Sequence, residues 1–131
     1  MNDYILMLEE DSDDRYFTKT TLEELGLDVP VKFASFSSSL INEIAADNPS
    51  LIILGYNTYP ATCTEILKKI RSHGSLVHIP VVMLTEDVSA TKVREYYASG
   101  ANSVIKKPST VNDTRIKIQT FFNYWLNVAE L

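Results

Sequence analysis

The residues best able to do chemistry are acidic, and they stand together. Glu9-Glu10-Asp11-Ser12-Asp13-Asp14 follows directly on the apolar run Tyr4 to Leu8. Carboxylates crowded at one place repel one another, and such a cluster persists when a divalent cation or a lysine neutralises it. Glu9 and Glu10 can contribute to a magnesium site, and Lys107, in Lys106-Lys107-Pro108, can reach them as a counter-charge. The plainer reading is helix capping: Asp11 or Ser12 as the cap, with Asp13 and Asp14 in the first turn, where the helix dipole favours negative charge. The other reactive side chains are isolated. His73 and His78 flank a loop at the opposite edge and read as ordinary loop histidines. Cys63 is the single cysteine, so no disulfide forms within the chain, and it reads as a small apolar residue on a helix face.

The elements that must position these residues alternate regularly. Tyr4 to Leu8 is nearly all apolar, as in a strand buried on both faces. A helix follows to about Leu25, with Phe17, Thr21 and Leu25 inward at i, i+4, i+8, and Gly26 stops it. Val29 to Ser35 alternates, which suggests an edge strand. Serines 37 to 39 open a second helix with Leu40 or Ile41 and Ile44 inward, and Asn48-Pro49 ends it. Leu51 to Leu54 is a third strand. Cys63, Ile66, Leu67 and Ile70 give the i, i+3, i+4, i+7 spacing of a third helix. Ile79 to Leu84 is a fourth buried strand. Ala90, Val93 and Tyr97 mark a fourth helix closed by Gly100, Val104-Ile105 is a short fifth strand, and a last helix runs from about Val111 to Ala129 with Ile118, Phe122 and Trp125 inward.

Strand–helix alternation with buried strands predicts an α/β fold, a doubly wound parallel sheet covered on both sides with right-handed crossovers. For five strands the order 2-1-3-4-5 is one common solution, and ligands bind such sheets at the carboxyl ends of the central strands. The segments at that edge are the acidic run, then Gly55 to Pro60, then Thr85-Glu86-Asp87, then Lys106-Lys107-Pro108. With 131 residues and no linker or repeat, the expectation is one domain, residues 1–131.

Taken together and in order, Ile5 to Asp11, Pro49 to Leu54, Ile79 to Thr85, and Gly100-Ala101-Asn102-Ser103 followed by Lys107-Pro108 resemble the response-regulator receiver family of two-component and phosphorelay signalling, over essentially the whole chain. The fold implied is the flavodoxin-like (βα)5 receiver fold. The Tyr124-Trp125-Leu126 ending is similar to single-domain receivers that partner phytochrome-type or hybrid histidine kinases. The resemblance implies that the acidic pair binding magnesium falls on Glu9 and Glu10. The hydroxyl contacting the phosphoryl group falls on Thr85, and the lysine pairing with it on Lys107.

The same resemblance exposes departures. The phospho-acceptor aspartate of the family falls on Gly55, which has no side chain, and no Asp or Glu occurs between Asn48 and Glu65. Pro60 stands one place later than the family's loop proline, and Thr62-Cys63 occupy its Asp-Gly positions. The switch aromatic falls on Val104, too short to swing between buried and exposed states. With Lys107 free to pair with Glu10, magnesium binding at Glu9 and Glu10 is expected to be weak or absent, and no other cofactor is expected.

The function expected is therefore that of a non-enzymatic pseudo-receiver, a phosphorylation-independent binding module. Its partner is expected to be a histidine kinase, phosphotransfer protein or regulator, with a homodimer through the last helix as a further expectation. The candidate partner surface is the fourth helix, fifth strand and fifth helix, with Tyr96, Phe121 and Tyr124. Two alternatives stand beside it. One is a working receiver with an unusual acceptor, Asp11 or Asp87. The other is a flavodoxin-like cofactor-binding protein, which the acidic loop and the lack of GxGxxG or a P-loop oppose. A net charge of −5, with no basic stripe beyond Lys68-Lys69-Arg71, argues against nucleic acid and anionic membrane as partners. No apolar run reaches transmembrane length and no signal segment is visible, so a cytoplasmic location is expected.

Overall fold

A computed structural model describes residues 4–9, 11–26, 29–35, 39–55, 62–86, 88–107 and 111–131. Five strands, β1 (Ile5–Leu8), β2 (Val31–Ala34), β3 (Leu51–Gly55), β4 (Val81–Thr85) and β5 (Ser103–Lys106), alternate with α1 (Ser12–Glu24), α2 (Leu40–Ala46), α3 (Cys63–Ser72), α4 (Ala90–Ser99) and α5 (Val111–Asn123). All strand pairs are parallel, in the order β2-β1-β3-β4-β5. The predicted topology is thus the one observed.

The period of two along each strand divides the interior into two cores. Leu6, Leu8, Ile52, Leu54, Val81 and Met83 face one way and meet Leu40, Ile44, Ile66, Leu67, Ile70 and Tyr96 from α2, α3 and α4. Ile5, Met7, Leu51, Ile53, Val82 and Leu84 face the other way and meet Leu22, Ile118, Phe121 and Phe122 from α1 and α5. β1, β3 and β4 are buried throughout, while β2 and β5 are only partly covered, as edge strands must be. Each fully buried Ile or Leu contributes about 1.5–3 kcal/mol of apolar burial.

Three expectations about the helices need correction. Tyr96, not Tyr97, turns inward from α4: Tyr96 is 6% exposed and Tyr97 47%. Spacing from Val93 allows either residue, and the edge strand decides. The Tyr97 hydroxyl accepts the outward-facing N–H of Val104 at 3.1 Å, so its ring lies across β5. Phe121 is buried, its ring centroid 4.5 Å from that of Phe122. The last helix is α-helical only to Asn123 and closes in a π-helical turn, Tyr124–Val128, where the Ala129 N–H reaches the Tyr124 carbonyl at 2.7 Å.

Arg71, at the end of α3, ties three elements together. Its Nε donates to the Gly100 carbonyl (2.9 Å), Nη1 to the Ile79 carbonyl (2.8 Å) and Nη2 to Asn102 Oδ1 (2.7 Å). Asn102 Oδ1 also accepts the Val81 N–H at 2.8 Å, which starts β4. Gly100 is required here twice over. Its φ of 117° is left-handed, and a Cβ would fall on the Arg71 side chain, 3.0 Å from Nε.

Candidate functional site at the carboxyl edge of the sheet

The acidic run divides into residues with different tasks. Asp11 is the cap of α1, its Oδ1 accepting the backbone N–H groups of Asp13 and Asp14 at 2.9 and 3.0 Å. Asp13 and Asp14 occupy the first turn. Glu9, only 6% exposed, is folded into the sheet edge. Its Oε1 accepts the Asp11 N–H at 3.1 Å, and the Arg15 Nε donates to its backbone carbonyl. Burial holds the Glu9 carboxyl above its ordinary range. The Asp11 N–H opposes that rise, Asp14 adds to it, Lys107 opposes it and Asp11 adds to it. Glu10 lies outside the described residues.

Glu9 and Gly55 are neighbours at the sheet edge, because Leu8 pairs with Leu54 and Glu9 and Gly55 are the residues that follow them. The space normally filled by a side chain at 55 is taken by the Glu9 carboxylate. A Cβ on Gly55 would overlap Glu9 Oε2, lie 2.9 Å from Glu9 Cδ and 3.0 Å from the Leu8 carbonyl oxygen. Beneath, the Cys63 thiol donates to the Gly55 carbonyl at 3.1 Å and fixes the end of β3 against the start of α3. Thr85 is completely buried at the end of β4, paired with Lys106 on β5.

Lys107 pairs with Asp14, and its expected pairing with Glu10 lies outside the described residues. Burial works against its charged form, but the hydrogen bond and charge of Asp14, with Glu9 and Asp11 behind, more than compensate, so the Lys107 ammonium is held above its ordinary value. Asp14 is the site residue that the sequence reading assigned only to the helix dipole. The missed signal is the buried stripe of α1: Thr18, Leu22 and Leu25 at i, i+4 and i+7, extended one turn back, reach Asp14. Among the described residues no three His, Cys, Asp or Glu side chains come together as a divalent cation requires. Glu9 has one oxygen on a backbone amide and the other over Gly55, and Asp14 is engaged by Lys107, so these residues as arranged do not fit magnesium.

The sequence matches the response regulator receiver domain over residues 5–119. The chain belongs to the response regulator receiver family. Similar receivers include the chemotaxis protein CheY of Pseudomonas aeruginosa, 25% identical over 118 residues, covering 90% of this chain and 94% of that protein. A two-component response regulator of Arabidopsis thaliana is 34% identical over 92 residues, 70% of this chain and 56% of that protein. Among solved structures, a response regulator from Hahella chejuensis superposes with a TM-score of 0.90 at 27% identity, covering 99% of both chains. The phosphorylated cyanobacterial phytochrome response regulator RcpA shares the fold with a TM-score of 0.86 at 21% identity, over 100% of this chain and 99% of that one. Receivers are signalling modules of two-component systems that interact with histidine kinases or other signalling proteins.

Among the aromatics expected on a partner surface, Tyr124 is 49% exposed, its ring edge-on to Trp125 at 5.1 Å, whereas Tyr96 and Phe121 belong to the two cores. The exposed ring on α4 is Tyr97. Val104 is half-buried beneath it, and Lys117 of α5 donates to the Lys106 carbonyl at 3.1 Å. Asp87 and Pro60 lie outside the described residues. No helix among the described residues is long and apolar enough to cross a membrane.

Proposed function

We propose that this receiver is a pseudo-receiver, a single domain over residues 1–131 that binds its signalling partner without a phosphorylation step. The observation that carries this reading is the end of β3. Gly55 offers no carboxylate, and the nearest one among the described residues, from Glu9, is buried, hydrogen-bonded and turned across the backbone. Nucleophilic attack on a phosphoryl donor needs an accessible carboxylate with a counter-ion to order the donor. Thr85 and Lys107 remain from the phosphoryl-contact set, but Lys107 is held by Asp14. Val104 carries no aromatic ring to report a change in the pocket. Magnesium binding at Glu9 and Glu10 is weak or absent, and no other cofactor serves the site.

The partner is a histidine kinase, phosphotransfer protein or regulator in the cytoplasm, met on the face formed by α4, β5 and α5. There Tyr97 and Tyr124 offer exposed rings, and Arg94 of α4, Lys106 of β5 and Lys117 of α5 are exposed on the same elements. This local positive charge stands out on a chain of net charge −5 and favours a partner with an acidic contact surface. Neither nucleic acid nor membrane is a partner, while a homodimer can use the same face.

The test is affinity capture with the intact protein, with and without prior treatment with acetyl phosphate and magnesium, each sample checked by intact mass. The expected result is no added phosphoryl group and the same captured partner, lost on replacing Tyr97 and Tyr124 with alanine. A stable gain of one phosphoryl group, or capture only after treatment, would overturn the proposal and favour an unusual acceptor.

A further inference from the structure

The vacancy at Gly55 is not an empty pocket, and this changes what would be needed to reopen it. In a parallel sheet, neighbouring residues on adjacent strands direct their side chains to the same side. Glu9 and Gly55 are such neighbours, and the side chain of one occupies the room of both. Three contacts hold Glu9 there: Oε1 on the Asp11 amide at 3.1 Å, its own carbonyl on Arg15, and burial of all but 6% of its surface. Arg15 is itself braced, with its guanidinium 5.5 Å from the Phe33 ring centroid. The φ angle at Gly55 imposes no demand for glycine, since the only positive φ angles among the described residues are at Gly26 and Gly100. What excludes a side chain at 55 is Glu9 Oε2, backed by the Leu8 carbonyl oxygen at 3.0 Å.

We infer that Glu9 is a tethered plug, which fills the acceptor position from β1 and keeps the phosphoryl pocket closed, so that restoring an aspartate at 55 does not reopen the site unless Glu9 is shortened as well. The inference rests on the pseudo-receiver reading only for its meaning in signalling, because the plug is a packing relation measurable without any partner. It makes the two positions interdependent. With Glu9 present, a side chain at 55 is overpacked. With Glu9 shortened, the same side chain loses the overlap and keeps only the tight contact with the Leu8 carbonyl oxygen at 3.0 Å.

The deciding experiment is a melting cycle on the full chain, with Gly55→Ala introduced into the wild type and into the Glu9→Gln, Glu9→Asp and Glu9→Ala backgrounds. Overpacking by one methyl group is expected to lower Tm by about 4 °C or more in the wild type and in Glu9→Gln, where the volume is kept. In Glu9→Ala the drop caused by Gly55→Ala is expected to be several-fold smaller, because only the contact with the Leu8 carbonyl oxygen remains and the added methyl also stiffens the unfolded chain. Equal Tm shifts in all backgrounds would overturn the inference. Glu9→Asp keeps an acid and gives a second measure should Glu9→Ala fold poorly, its shift lying between the two extremes. In parallel, Gly55→Asp and the Glu9→Asp/Gly55→Asp pair are treated with acetyl phosphate and magnesium and weighed. Transfer of the phosphoryl group to the introduced carboxylate, with acetate leaving, is expected to be several-fold greater for the pair. Labelling of Gly55→Asp alone to the same extent would overturn the inference, and if neither protein is labelled the melting cycle decides.

Discussion

Replacing Glu9 with glutamine should stabilise the protein at neutral pH, which is unusual for a polar residue inside a sheet edge. Glutamine preserves the volume over Gly55 and an oxygen to accept the Asp11 N–H at 3.1 Å, but removes the charge. The charge has poor support. Asp11 and Asp14 repel it, and the nearby Lys107 is engaged by Asp14. A buried group with a single backbone partner carries an uncompensated desolvation cost of about 1–3 kcal/mol. Relieving it raises Tm by about 3–6 °C for each kcal/mol recovered in a domain of this size. The pH dependence fixes the sign. Because burial raises the Glu9 carboxyl above its ordinary value of 4.5, the folded state holds the proton more tightly than the unfolded state. That contribution is fully present below pH 4.5, falls as pH rises through the folded-state value, and is gone above it. The slope at its steepest is about 1.4 kcal/mol per pH unit for one group. Urea unfolding of both proteins from pH 4 to pH 8 isolates the term, since every other carboxylate is common to the two. The wild type should lose ground to Glu9→Gln as pH rises from about 4.5, and the gap should become constant once pH exceeds the folded-state value. A gap independent of pH, or a glutamine variant less stable at pH 7, would refute the account of a strained buried carboxylate.

Other perturbations test the elements around the site. Tyr97→Phe removes the acceptor for the Val104 N–H and should speed exchange of that amide severalfold in hydrogen-exchange NMR, with Tm lowered by the loss of about 0.5–1 kcal/mol; unchanged protection at Val104 would count against it. Arg71→Ala severs the ties to Gly100, Ile79 and Asn102 and should cost about 2 kcal/mol in urea unfolding, while a loss within error would show that water replaces the guanidinium without penalty. Lys107→Met leaves Asp14 partly buried without its ion partner and should cost about 1 kcal/mol at pH 7, a deficit that disappears as pH rises through the raised Lys107 value; a pH-independent deficit would point to packing of the lysine stem instead.

The fold was legible because its signals are strong and mutually consistent. Three strands are so apolar that only a doubly covered parallel sheet accommodates them, and Cys63, Ile66, Leu67 and Ile70 place α3 without ambiguity. Legibility failed where neighbouring residues compete on equal terms. Tyr96 and Tyr97 both suit a helix face, and only the need of an edge-strand amide for a partner separates them. Phe121 and Phe122 likewise both fit an inward stripe, and both take it. At the site, the residue types at Glu9, Gly55, Thr85 and Lys107 could be placed by strand register. The pairing of Lys107 with Asp14 could not, because it depends on how far two flexible chains reach across α1 and β5. The contact of Glu9 with Gly55 is a matter of volume, and a linear sequence carries no volume.

The rim of the sheet at β5 is stitched shut from two sides. Tyr97 reaches it from α4 and Lys117 from α5, and between them they use an outward donor and an outward acceptor of the last strand. A ribbon cannot readily grow from such a margin, since each new rung would first have to unfasten a side chain anchored on a helix. Two copies of this protein, or one copy and its partner, meeting at this rim would therefore join flank to flank through side chains rather than extend the sheet across β5.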